Sequence, residues 1–234
     1  MTKTERRIIL LRKLSNFIVS NDTFQNQEDI RSISINALGL TVQNFIFSLT
    51  LSKKLLDLNY CKEEISSNVR KVHLATFNYN FNGFVRDAFF NSFFLNVENH
   101  LRQIAINYER TRGDINKTAI LETFKNLLIQ NKTTLFTNLT NDDLSLFTFY
   151  CYLRNTIHSL GFQTRGDSTL VLHDRSSLFN KKRVEIKLIS STNSVSFEDM
   201  ILLQEQIFKL LIKMNSFIPN EDTINHRLAN SFNS

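Results

Sequence analysis

Residues 84–109 read FVRDAFFNSFFLNVENHLRQIAINYE, and their apolar side chains recur every three or four positions. That period places the following residues on one face of an α-helix: Phe90, Phe93, Phe94, Val97, Leu101, Ile104, Ala105 and Tyr108. Glu98 and Arg102 lie one turn apart and predict an intrahelical ion pair. The stretch therefore predicts a long helix whose apolar face lies in a hydrophobic core.

The composition of the 234-residue chain also favours helices, because five Gly and one Pro supply little turn chemistry. With 42% apolar and 21% charged residues, the chain is too apolar for a disordered protein and long enough to bury a core. Two cysteines without a CxxC pair exclude a disulfide scaffold. The absence of a glycine-rich phosphate loop argues against P-loop and Rossmann enzymes. We expect neither a cofactor nor a metal.

Apolar periodicity predicts further helices outside this stretch. They cover residues 3–19, 33–57, 61–73, 118–130 and 140–161, with a last helix that Ser196–Asp199 caps and Pro219 ends. Alternating residues at 169–174 and 183–190 predict a small β-hairpin before the last helix. The predicted fold class is mainly α, a helical bundle with a small β-hairpin.

We expect a single domain over residues 1–234, since no linker or internal repeat interrupts the pattern. Within it, residues 1–80 are an N-terminal helical extension of unknown role. Residues 84–215 form the bundle, and residues 220–234 form a frayed tail.

The uncharged stretch Ser32–Ser52 has the length of a membrane span. Nine of its positions hold Ser, Asn, Gln or Thr, however, and its apolar residues recur at helical spacing: Leu38, Val42, Phe45, Ile46 and Leu49. A one-sided stripe favours a buried amphipathic helix over a lipid-facing one. The N-terminal segment lacks the apolar run of a signal peptide. We therefore expect a cytoplasmic protein that contacts no membrane.

The net charge of +6 permits binding to a polyanion such as RNA. Lys181, Lys182 and Arg183 form the tightest basic run. They are the candidate RNA-binding residues, although a solvated hairpin loop accounts for the same run.

The helix predicted at residues 140–161 has clear ends, since Thr140 and Asp143 form a capping-box pattern and Gly161 is a good terminator. Its predicted core face holds Leu146, Phe149, Leu153, Ile157 and Leu160. Arg154 and His158 lie one turn apart and point roughly the opposite way, with Asn155 beside them.

Leu144, Phe147 and Cys151 extend the side of Arg154 and His158 toward the N-terminus of this helix. A cation and an imidazole beside exposed apolar residues predict a surface patch that binds a partner or a second copy of the chain. The simpler interpretation is a surface histidine near a helix end and an ordinary solvated arginine.

The string Leu153-Arg-Asn-Thr-Ile-His158-Ser-Leu-Gly161 resembles the signature of the HEPN superfamily, helical-bundle proteins common among RNA-cleaving toxins and phage-defence effectors. That signature is Arg, a polar residue that is often Asn, and a His on the last long core helix. Arg154, Asn155 and His158 match these positions, with three residues between Arg and His where the family usually has four to six. The resemblance covers residues 84–215.

The resemblance implies a metal-independent endoribonuclease that works as a homodimer on RNA and leaves 2′,3′-cyclic phosphate and 5′-hydroxyl ends. It implies that Arg154 holds the scissile phosphate, that His158 shuttles the proton of the attacking 2′-hydroxyl, and that Asn155 orients either group. The dimer would explain why Leu144, Phe147 and Cys151 share that face. A role in antiviral defence or as a toxin, with a regulatory protein or antitoxin as partner, follows from the same resemblance.

Two alternatives remain open from the sequence. The short spacing between Arg154 and His158 favours a non-catalytic HEPN-like module that binds a protein partner, a nucleotide or a nucleic acid. The other alternative is a plain helical scaffold in which neither residue has a role.

Overall fold

The computed structural model describes residues 2–24, 26–108, 119–129, 136, 139–158, 167–173, 178, 183–188, 195–219 and 223–224. The described part of the chain is mainly helical, with one small antiparallel sheet. In chain order its elements are α1 (Lys3–Ser20), α2 (Ile30–Ser52), a 3₁₀-helix (Lys53–Leu56), α3 (Leu58–Glu64), α4 (Lys71–Tyr108), α5 (Ile120–Ile129), α6 (Asn141–His158), β1 (Ser168–His173), β2 (Arg183–Leu188) and α7 (Phe197–Asn215). The prediction of a mainly helical chain with a hairpin before the last helix is confirmed.

Two predicted helix boundaries differ from the structure by more than five residues. The helix predicted at residues 61–73 ends at Glu64, and α4 begins at Lys71, well before the predicted start at residue 84. Tertiary contacts hold this early part of α4, because Leu74 is buried and the Asn78 amide donates to the carbonyl of Ser52 at 2.7 Å. Such contacts leave no mark on the local apolar period, which is why the pattern did not reveal them.

Helix α4 lies in the middle of the fold and contacts α2, α5, α6 and α7. Its predicted apolar face is buried at every position whose side chain is described: Phe90, Phe93, Phe94, Val97, Leu101, Ile104 and Ala105. The side chain of Tyr108 lies outside the described residues. The predicted ion pair is confirmed, since Nη2 of Arg102 lies 2.6 Å from Oε1 of Glu98.

The N-terminal helices belong to the same core. One hydrophobic cluster extends from Ile8 in α1 to Ile224, and it includes the predicted stripe of α2 at Leu38, Val42, Phe45 and Leu49. Ile46 packs against this cluster while partly exposed. Residues 1–80 therefore contribute to the core of the bundle, although Cys61, Val69 and Leu74 form a small separate cluster.

By length and composition alone, one described stretch, Ile30–Leu56, could cross a membrane. Core helices of soluble proteins pass the same test.

A buried ion pair between Asp29 and Arg31, called the clasp below, connects the start of α2 to the chain that follows α7. Nη2 of Arg31 lies 2.8 Å from Oδ2 of Asp29, and the two side chains are 1% and 2% exposed. Arg31 also donates to the carbonyl of Ile218 at 3.2 Å, and Asp29 accepts from the amide of Ile224 at 3.2 Å. Burial alone would raise the pKa of Asp29, but the hydrogen bonds and charge of Arg31 outweigh it and lower that pKa.

Ile224 is buried, although it lies within the predicted frayed tail at residues 220–234. Its carbonyl accepts from the amide of Ile30 at 2.9 Å, so this residue is held in the core by backbone and side chain together.

We predict that Asp29→Ala lowers the free energy of unfolding by about 3–5 kcal/mol, because it leaves the Arg31 charge buried without its partner. The matched control is Glu122→Ala, which removes the exposed pair with Lys125. That variant is expected to change stability by less than about 1 kcal/mol. Urea unfolding followed by circular dichroism measures the stability of both variants. A similar loss of stability in the two would contradict the stabilising role of the clasp.

A second buried polar contact joins α4 to α7. His100 is buried, and its Nε2 lies 2.8 Å from Oδ1 of Asn215. Burial lowers the pKa of His100 to about 4, and the hydrogen bond to Asn215 opposes that effect only in part. The imidazole is therefore neutral at neutral pH.

We predict that His100 makes the fold acid-sensitive. The unfolded chain protonates this residue near pH 6.5 while the folded chain does so only near pH 4, so falling pH favours the unfolded state. Stability should decrease by up to about 1.4 kcal/mol per pH unit across that window. His100→Gln should flatten this dependence, whereas the exposed control His73→Gln should keep the wild-type slope. Equal slopes in all three proteins, measured by urea unfolding at several pH values, would disprove the assignment.

Candidate functional site

Helix α6 carries the candidate site, and its N-terminus forms as the sequence predicts. Thr140 Oγ1 accepts from the amide of Asp143 at 3.3 Å, and Oδ2 of Asp143 accepts from the amide of Thr140 at 2.9 Å. The same carboxylate oxygen lies 2.7 Å from Nζ of Lys213 in α7. The capping box and this ion pair fix the start of α6 against the last helix.

The predicted core face of α6 is confirmed at Leu146, Phe149 and Leu153, which are buried. Ile157 is half-buried. Leu160 lies outside the described residues.

The prediction of an exposed apolar patch beside Arg154 is wrong for Phe147 and Cys151. Phe147 is 0% exposed, and its ring centroid lies 4.3 Å from that of Phe124 in α5. Cys151 is also buried, and Leu144 is only partly exposed. The physical reason is that α4 and α5 cover this side of α6, and the periodicity of α6 alone cannot reveal helices that pack on both of its faces.

The thiol of Cys151 is correspondingly inert. Burial and, to a smaller extent, the nearby Glu98 carboxylate raise its pKa to about 12, although the charge of Arg154 opposes both effects. A thiol with this pKa stays protonated at neutral pH and is not a nucleophile.

Arg154 lies at the edge where the buried side of α6 meets the surface, and its side chain is partly exposed. Its guanidinium carbon lies 5.5 Å from the ring centroid of Phe94 in α4, a cation–π distance. Nη1 donates to Oδ1 of the exposed Asn155 at 3.3 Å. Among the described residues Arg154 forms no ion pair with a carboxylate.

The ring under Arg154 is itself held firmly. Phe94 is buried and lies 5.1 Å from the ring of Tyr150, whose hydroxyl donates to Gln204 of α7 at 2.9 Å. Arg154 is therefore supported by an aromatic ring that three helices fix in place. The apolar period identifies Phe94 as a core residue but does not connect it to Arg154, because 60 positions separate the two along the chain.

His158 is the last residue of α6, and its side chain lies outside the described residues. It lies four positions after Arg154, which corresponds to about 6 Å along the axis and about 40° around it. The two residues therefore lie on the same face of α6.

The candidate RNA-binding run is described only in part. Lys181 and Lys182 lie outside the described residues, and Arg183 begins β2 opposite His173 of β1. No group of three or more His, Cys, Asp or Glu side chains that could hold a metal ion occurs within the described ranges.

Comparison of the chain with protein-family models, with curated proteins and with solved structures found no match. The HEPN resemblance accordingly depends on the residues of this chain alone.

We predict that Phe147→Ala lowers the free energy of unfolding by about 3–5 kcal/mol, because it opens a cavity between α5 and α6. The control is Leu95→Ala on α4, where the side chain is 58% exposed and little packing is lost. Thermal and urea unfolding measure both variants. If Phe147→Ala left stability unchanged and altered only self-association, Phe147 would be an interface residue after all.

Proposed function

We propose that this protein is a metal-independent endoribonuclease of HEPN type that cleaves RNA and leaves 2′,3′-cyclic phosphate and 5′-hydroxyl ends. The observation that carries the proposal is that Arg154 is partly exposed and, among the described residues, contacts the neutral side chains of Phe94 and Asn155 and no carboxylate. The match of Arg154, Asn155 and His158 to the family signature supplies the reaction type.

The contacts of Arg154 suit phosphate binding. A guanidinium that is not neutralised by a carboxylate keeps its charge for an incoming anion, and its planar fork matches two phosphate oxygens. The ring of Phe94 limits the positions that the guanidinium can adopt, which lowers the entropic cost of binding. In the proposed reaction Arg154 stabilises the charge that builds on the phosphoryl oxygens.

Asn155 is placed to direct this group. Its Oδ1 accepts from the guanidinium, and its amide Nδ2 donates to no described residue, so Nδ2 can donate to a phosphate oxygen or to the 2′-hydroxyl. His158 takes the role of proton shuttle, since imidazole titrates near neutral pH. It removes the proton of the 2′-hydroxyl as that oxygen attacks phosphorus, and the departing 5′-oxygen receives a proton to give the 5′-hydroxyl.

The proposed homodimer needs a surface other than the buried Phe147 and Cys151. The more exposed positions of α6 recur every three or four residues, at Ser145, Thr148, Tyr152 and Asn155. A second copy that packs along this strip would bring the two Arg154 side chains toward one groove. Regulation by an antitoxin and a role in phage defence belong to the same proposal.

The test is cleavage of RNA by the purified full-length protein in EDTA, with the ends of the products identified. We predict that Arg154→Ala and His158→Ala each lower the rate at least about 100-fold, because each removes a group that acts in the transition state. Asn155→Ala should cause a smaller loss. The matched controls are Arg70→Ala and His73→Ala, an exposed arginine and histidine near the start of α4, which should leave the rate unchanged.

Cleavage that persists in His158→Ala would disprove the assignment of the site. A protein that cuts no RNA but binds it more weakly after Arg154→Ala would instead support the non-catalytic module. Light scattering during size-exclusion chromatography measures the mass, and a monomer at all concentrations would exclude the dimeric site.

A further inference from the structure

A cleft of about 1080 Å³ lies between the N-terminal ends of α1 and α7 and the first half of α4. The charged residues that line it are Lys3, Arg6, Arg7, Arg86 and Glu198. Arg154 does not line it, so a ligand of this cleft is independent of the proposed ribonuclease site.

The lining of this cleft is strongly basic. Among the described residues of the lining, four cationic side chains accompany one carboxylate, which gives a net charge of +3, or +2 when Asp87 is included. Asp87 is not part of the described lining but pairs with Arg86 at 2.9 Å. Arg6 pairs with Glu198 at 3.3 Å, but the two side chains are 61% and 43% exposed, so solvent screens that attraction.

Arg7 is near both a like charge, Arg86, and the carboxylate of Glu198, and Arg86 has the larger effect on its pKa. The guanidinium carbon of Arg7 lies 4.5 Å from the ring centroid of the buried Phe197, which holds it at the wall of the cleft. It forms no ion pair with a described carboxylate. Burial lowers the pKa of Arg7 and the like charge of Arg86 lowers it further, so an anion placed between the two guanidinium groups would relieve both effects.

Two helix N-termini add to the positive potential. Thr2 caps α1 and Ser196 caps α7, and both caps line the cleft. The partial positive charge at each helix start adds to that of the four cations, and Glu5, Glu198 and Asp199 in the first turns of these helices offset part of it. Uncharged hydrogen-bonding groups complete the wall at Asn78, Asn80 and Asn82.

We infer that this cleft binds a phosphate-bearing ligand. Arginine forks bind phosphate oxygens in pairs, and several cations in one cleft favour a ligand with several negative charges. The volume exceeds what one phosphate needs, so the ligand carries either linked phosphates or a further group. Tyr79, 79% exposed at the rim, offers a ring on which such a group can stack.

The experiment measures binding to the full-length protein by isothermal titration calorimetry with three probes. Inorganic tripolyphosphate represents a free phosphorylated compound. A ten-residue single-stranded oligothymidylate represents the backbone of a nucleic acid and lacks the 2′-hydroxyl that the proposed cleavage needs. Citrate tests whether any multivalent anion suffices.

Tripolyphosphate or the oligothymidylate should bind, and whichever binds more tightly identifies the source of the phosphate. Arg86→Glu and the more exposed Arg6→Glu should each raise Kd at least about tenfold, because each places a negative charge in the cleft. The control Arg12→Glu makes the same charge change on α1 outside the lining and should alter Kd less than about twofold at constant salt.

Melting curves verify that each variant is folded. The inference is overturned if neither phosphate probe binds, if citrate binds as tightly as both, or if Arg86→Glu and Arg6→Glu bind as the control does.

Discussion

The packing of α4 against its neighbours is the interaction on which the rest of the structure depends. Phe89 of α4 stacks on Phe45 of α2 at 4.4 Å, and Phe45 in turn lies 5.7 Å from Phe197 at the start of α7. On another side of α4, Phe90 and Phe94 each lie 5.1 Å from Tyr150 of α6. A single helix thus sets the positions of α2, α6 and α7. The contacts named above are between aromatic rings, which bury large areas with defined geometry.

The apolar period predicted what depends on local spacing and missed what depends on distant partners. It predicted the buried faces of α2 and α4, the cap of α6 and the hairpin, since each repeats within a few residues. It could not predict that Phe147 is buried under Phe124, because that contact depends on where α5 packs. In the clasp, Arg31 donates to the carbonyl of Ile218, which is 187 positions away, and such a contact has no local signal in the sequence.

The candidate site was likewise predicted where it depends on local spacing and missed where it depends on distant contacts. The pattern placed Arg154 and His158 on one face of a capped helix, which needs only helix geometry. It did not reveal that Phe94 supports the guanidinium or that the adjacent apolar residues are already buried within the chain. The basic cleft was missed because Arg7 and Arg86 are far apart in sequence, and only the contact between α1, α4 and α7 brings them together.

The buried polar groups and the surface cations have different roles in the structure. Asp29, Arg31 and His100 lie in the core, where removal from water makes an unpaired charge costly, so they fix how α2, α4 and α7 meet. Arg7 of α1, Arg86 of α4 and Arg154 of α6 are only partly buried, so their charges stay available to solutes. Since a rigid framework holds side chains within narrow limits, the core contacts determine how accurately both basic surfaces are positioned for the phosphate groups that we propose they bind. Loss of the clasp at Asp29 would therefore loosen the start of α2 and the segment after α7 before it disturbed α6, which is held by the separate ion pair between Asp143 and Lys213.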